Sequence, residues 1–113
     1  MALYLFAGIP VSDFGVAVGW YERLLGATPS SRPHETEAVW ELAENRLLYI
    51  VQKPEHAGHS INTLIVDDLD DRVAQIKERG LEPVAQETYE NGVRKTTYLD
   101  PDGNEIGFGA VPA

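Results

Sequence analysis

Most of the reactive side chains here are carboxylates. Across 113 residues, 18 Asp and Glu stand against nine Lys and Arg, a net charge of −9. Glu35, Glu37, Glu41 and Glu44 follow one another across a predicted hairpin, a spacing that gives no shared acid–base pair. Asp67, Asp68, Asp70 and Asp71 sit at a predicted helix start, where acids complement the N-terminal dipole. They lack the spacing and closing glutamate of a helix–loop–helix calcium site. His34, His56 and His59 are dispersed through strand-end and linker sequence. Cysteine is absent, which removes disulfides, thiolate metal sites and cysteine nucleophiles together. Ser12, Ser30, Ser31 and Ser60 have no nucleophile elbow around them, and no Gly-Lys-Ser/Thr phosphate cradle occurs. The acidic balance argues against nucleic acid, whose binders present basic faces.

The elements that must position these groups follow a pattern written twice. Val11-Ser-Asp-Phe14 matches Val66-Asp-Asp-Leu69, and each follows an apolar strand-like run, Leu3–Ile9 or Ile61–Val66. Each precedes a helical stretch that stops at a glycine, Gly26 or Gly80. That regularity marks duplicated supersecondary units. The first helix is predicted over Phe14–Leu25, capped by Asp13, with Phe14, Ala17, Tyr21 and Leu24 on one face. The second is predicted over Leu69–Arg79, capped by Asp68 and ended by Gly80 in the left-handed conformation. Strands are expected at Thr28–Arg32, Ala38–Leu42 and Leu47–Gln52, then at Glu82–Thr88, Val93–Leu99 and Glu105–Val111. Asn91-Gly92 is a two-residue hairpin signal. Asp100-Pro-Asp-Gly-Asn104 is a turn, with Pro101 presetting one angle and Gly103 accepting positive φ. Lys53–His59 reads as the linker.

The expected fold class is therefore α+β. It is a single domain over residues 1–113, built of two βαβββ modules at about 1–54 and 59–113. One such module leaves a sheet face uncovered, so two must pair, within the chain or across a dimer. No apolar run approaches the roughly 18–20 residues of a membrane span. Met1–Pro10 lacks the basic start and apolar length of a secretory signal, so a cytoplasmic location is expected.

The repeated strand–Asp–helix–Gly pattern, together with Asp-Pro-Asp-Gly-Asn before the last strand, resembles the vicinal oxygen chelate superfamily of glyoxalase, bleomycin-resistance and extradiol-dioxygenase proteins. The resemblance covers nearly the whole chain. It implies a cup formed from curved mixed sheets, eight strands in all, and in many members a divalent metal held by the first and last strands of each module. Carried over position by position, the ligand places fall on Phe6, Ile61 and Gly107. The fourth falls on Leu48 if Asn45 aligns with Asn104, or on Tyr49 with a slip of one residue. A divalent ion needs oxygen or imidazole donors, which Phe, Ile, Gly and Leu do not supply. No metal or other cofactor is expected.

Strand alternation then sets the faces. Tyr4, Phe6 and Gly8 are expected toward the cup, as are Ile61, Thr63, Ile65, Gly107 and Gly109. The resemblance places Lys95 and Thr97 there too; Trp40 fits either side. Asn62 falls on the helix side without an evident partner. The candidate ligand-binding set is Tyr4, Phe6, Trp40, Leu48, Ile61, Thr63, Lys95, Thr97 and Gly107, with no catalytic residue assigned. The expectation is a metal-free, glyoxalase/bleomycin-resistance-like protein that binds a small organic molecule, sequesters it, and forms a homodimer. The alternatives are a lyase, isomerase or dioxygenase of that family with atypical metal binding or metal-independent chemistry, and a regulatory or interaction module whose cup is filled by its own side chains.

Overall fold

Each half of the chain runs strand, helix and three strands. The first half comprises β1 (Leu5–Val11), α1 (Phe14–Leu25), β2 (Ser31–His34), β3 (Glu37–Ala43) and β4 (Arg46–Gln52). The second comprises β5 (Ile61–Ile65), α2 (Leu69–Glu78), β6 (Ala85–Thr88), β7 (Arg94–Leu99) and β8 (Glu105–Ala110). A single 3-10 turn, Pro54–His56, lies in the linker. This computed structural model describes residues 3–112; Met1, Ala2 and Ala113, the outer ends of the expected modules, lie outside them. The halves form two four-stranded sheets, ordered β1-β4-β3-β2 and β5-β8-β7-β6. In each, the first and last strands of the module pair in parallel, and the others pair antiparallel.

Local chemistry explains the helix ends. Asp13 accepts a hydrogen bond from the Val16 amide at 3.2 Å, which satisfies one of the free N–H groups of the first turn. Gly80 (φ 93°) closes α2, with its amide bonded to Lys77 O and the Leu81 amide to Ile76 O. This is the paired closure that a left-handed glycine permits, and the buried Leu81 and Ile76 accompany it. Asp68 departs from expectation. Its side chain makes no cap bond, because the Arg72 guanidinium engages it at 3.2 Å.

The core lies between the helices and one face of each sheet. Ile9, Val11, Trp40, Leu48 and Ile50 meet Phe14, Ala17, Tyr21 and Leu24 on the first side. Tyr98, Ile106 and Phe108 meet Leu69 and Ile76 on the second. Tyr98 is fully buried, yet its hydroxyl has no partner among the described residues. Burial and the Glu82 carboxylate push that hydroxyl above its ordinary pKa, and Arg79 opposes them.

Two sets of polar contacts hold the modules together. The Asp100–Asn104 turn is a clamp. Buried Asp100 accepts from the Tyr21 hydroxyl of α1 at 2.8 Å. Asn104, wholly buried, donates through Nδ2 to Pro10 O at 2.9 Å. Its Oδ1 accepts from the Gly58 and Ser60 amides at 3.0 and 3.1 Å. Asp102 accepts from the Ser12 amide at 2.9 Å and from its hydroxyl. Burial, then the Asp100 carboxylate, pushes the Tyr21 hydroxyl far above its ordinary pKa. Gly58 (φ 94°) admits this approach, because a Cβ there would stand 2.6 Å from Asp102 O. At the other contact, Arg79 donates to the Arg23 and Leu24 carbonyls. That sets a cation on the negative end of α1.

Candidate ligand-binding cup

The sheet faces turned away from the helices are concave and largely apolar. In the first sheet, Phe6 stands beside Leu47 and Gly8 beside Tyr49. The Tyr49 ring lies over Gly8, where an added Cβ would be 2.5 Å from the ring Cζ. Phe6 and Tyr49 meet edge to face, with ring centroids 6.4 Å apart. In the second sheet, Thr63 and Thr97 flank Gly107, and Ile65 and Lys95 flank Gly109. The Lys95 stem lies across Gly107. A Cβ on that glycine would be 2.6 Å from Lys95 Cε, 3.6 Å from Nζ and 3.5 Å from Thr63 Oγ1. Lys95 is half-buried. The ion pairs among the described residues are Arg72–Asp68 and Arg94–Asp70, so no carboxylate there lies within 4.0 Å of the Lys95 ammonium.

These faces are open. Phe6 is 55% exposed, Ile61 68% and Ile65 60%. Tyr4, exposed, stands just before β1. Of the residues picked out from sequence, the structure brings Ile61, Thr63, Lys95, Thr97 and Gly107 together on one concave face, and sets Phe6 on the other.

Leu48 and Trp40 lie elsewhere. Leu48 pairs with Ala7 and with Trp40 on the helix-covered side of the first sheet, and both Leu48 and Trp40 are buried. The Trp40 indole N–H donates to Ala27 O at 2.9 Å. Tyr49 is the residue that faces the concavity, because the turn around Asn45 (φ 62°) sets β4 one residue out from the alignment of Asn45 with Asn104. On the helix side, Leu48 and Trp40 line a cleft of about 990 Å³ between the two sheets. Asn62 also opens onto that cleft, which is why its amide needs no partner in a dry core.

The four strand positions that the resemblance names for a metal are thus Phe6, Tyr49, Ile61 and Gly107. One phenol among an aromatic ring, an alkyl chain and a glycine does not fit a divalent ion, which requires several oxygen or nitrogen donors. His34, His56 and His59 are all exposed, the first at the end of β2 and the other two in the linker. Among the described residues, no group of three or more His, Cys, Asp or Glu is placed to hold a metal. No helix among them is long and apolar enough to cross a membrane.

The model of the glyoxalase/bleomycin resistance protein/dioxygenase superfamily matches residues 4–108. The chain belongs to that superfamily. A glyoxalase/bleomycin resistance protein from Catenulispora acidiphila is 65% identical, with a TM-score of 0.95 over 98% of this chain and 100% of the other. More distant members share the fold alone. A bleomycin-binding protein solved with bleomycin is 23% identical, with a TM-score of 0.79 over 98% of this chain and 100% of that one. A lactoylglutathione lyase from Agrobacterium tumefaciens is 14% identical, with a TM-score of 0.78 over 97% of this chain and 94% of that one. Among curated proteins, none matches. The paired βαβββ modules are therefore scaffold shared with these proteins. Sequence reading held Tyr49 only as the slipped alternative. The signal was weak because Leu47–Val51 is apolar at every position, so alternation cannot choose a face.

Proposed function

We propose that this superfamily member binds and sequesters a small, mainly apolar organic molecule, without a metal, in a cup that a second copy completes. The observation that carries the reading is the exposed apolar lining of the two concave faces. Burying a Phe or Ile side chain is worth roughly 1.5–3 kcal/mol, and Phe6, Ile61 and Ile65 leave much of that unrealised in one chain. Each chain holds one sheet of the first kind and one of the second. A two-fold pairing sets the first sheet of one chain against the second sheet of its partner and makes two equal cups. The donors at the four strand positions give a Lewis-acid mechanism nothing to stand on, which favours binding over transformation. The bleomycin complex of a protein with the same fold supports a small-molecule role.

Light scattering and a thermal-shift screen test the proposal together. The protein is expected to elute as a dimer, and its melting temperature to rise with at least one flat aromatic compound, since binding to the native state must stabilise it. A monomer, or no shift at ligand concentrations well above micromolar, would refute it.

A further inference from the structure

We propose that Lys95 anchors the ligand, and that the cup takes an organic acid with a flat apolar body and a single carboxylate. The inference rests on reading the concave face as a ligand cup, and it names the ligand class that this face selects. Its ground is the interlocking of Lys95 with Gly107. The glycine leaves a trough in the centre of the second sheet, and the lysine stem fills it. A side chain at position 107 would meet Cε at 2.6 Å and push the flexible stem aside, so the glycine leaves the room in which the lysine lies over the floor of the cup.

Lys95 is half-buried as a residue, on the same face as Ile65, Gly109 and Thr63, and no carboxylate lies within 4.0 Å of its ammonium among the described residues. Glu87 is its cross-strand neighbour on the same face and lies beyond 4.0 Å of the ammonium. A cation without a counter-charge in contact is a recognition element for an anion. Thr63 Oγ1, within 3.6 Å of the same point as the ammonium, adds a neutral donor. One cation and one hydroxyl suit a single carboxylate. Glu37, Glu41, Glu87 and Glu105 share the concave faces by register; they oppose any anion, and a doubly charged one such as a phosphate about twice as strongly as a single carboxylate. Ile61, Ile65 and the Phe6–Tyr49 pair supply surface for the apolar body.

The test uses three matched probes: naphthalene-2-carboxylate, naphthalene-2-carboxamide and naphthalene-2-methylammonium. Each is titrated calorimetrically into the wild-type protein and into Lys95→Met, which keeps most of the stem. In wild type the carboxylate should bind at least about tenfold tighter than the amide, the effect of one charge-assisted hydrogen bond. In Lys95→Met that gap should close, with amide affinity held within about twofold. The Lys95 ammonium resonance of the wild-type protein should shift with the carboxylate and stay still with the amide, which decides the matter even if the variant folds poorly. Equal affinities, preference for the methylammonium, or a gap that survives in Lys95→Met overturns the anchoring role and leaves the cup standing. Failure of all three probes to bind overturns the cup, and this inference with it.

Discussion

Replacing Asn104 with Ala should cost about 3 kcal/mol, more than most single substitutions in a domain of this size. Asn104 is wholly buried, and its amide serves four groups besides Asp100: the Gly58 and Ser60 amides, the Ser60 hydroxyl and the Pro10 carbonyl. Asp100 Oδ2 keeps the Tyr21 hydroxyl after the change, so it is not orphaned. The Ser60 hydroxyl can turn elsewhere. Three backbone groups remain, each costing roughly 1–3 kcal/mol when buried and unpaired. Gly58, Ser60 and Pro10 are only half-buried, so water reaching the vacated space keeps the total near the low end. Urea unfolding at one fixed protein concentration should show the midpoint fall by about 1–2 M with an unchanged slope. The melting temperature should drop by roughly 10–20 °C. Ser12→Ala is the control. It touches the same turn through an exposed contact with Asp102 and should cost under about 1 kcal/mol. If Asn104→Ala cost less than that control, the turn would not be what ties the modules together.

Tyr98→Phe removes a buried hydroxyl that has no partner among the described residues, and it should be neutral or stabilising by up to about 1 kcal/mol in the same assay; a loss beyond that contradicts the packing described. Tyr21 has a folded pKa raised by burial and by Asp100. Its contribution is therefore fully present below about pH 10, the ordinary tyrosine value, and is lost as pH rises above it, by about 1.4 kcal/mol per unit. Tyr21→Phe should lower stability at neutral pH and flatten that alkaline decline, read by tryptophan fluorescence in urea from pH 8 to 11; parallel curves would refute the assignment. Ile61→Glu, on the open face of β5, should shift the sedimentation equilibrium from dimer toward monomer while leaving far-ultraviolet dichroism unchanged; an intact dimer would place the interface elsewhere.

The helices were legible because their ends carry local signals. Asp13 and the two stop glycines bound α1 and α2 within a residue of where the apolar stripes begin and end. Strand faces were legible wherever one side is polar or empty, as in β8, where Ile106 and Phe108 alternate with Gly107 and Gly109. They failed in the middle of the first sheet. Ala38, Val39 and Trp40 are all buried in β3, and a strand covered on both sides shows no period of two. Leu48 was misplaced because the Asn45 turn and the Asp100–Asn104 turn differ in length, and a slip of one residue reverses every side chain. The β2 boundary moved from Thr28–Arg32 to Ser31–His34, where pairing with β3 decides it rather than propensity. The clamp was visible only as a turn motif. Its partners Tyr21, Pro10 and Ser12 lie some 80 or 90 residues away in sequence, beyond the reach of any local pattern.

Native mass spectrometry of protein purified without chelator, with naphthalene-2-carboxylate added, tests the central claim most directly because one spectrum reads copies, ligand and metal together. The account predicts a two-chain species carrying two probe molecules and no metal adduct. One divalent ion per concavity, or a single chain that takes up no probe, would contradict it.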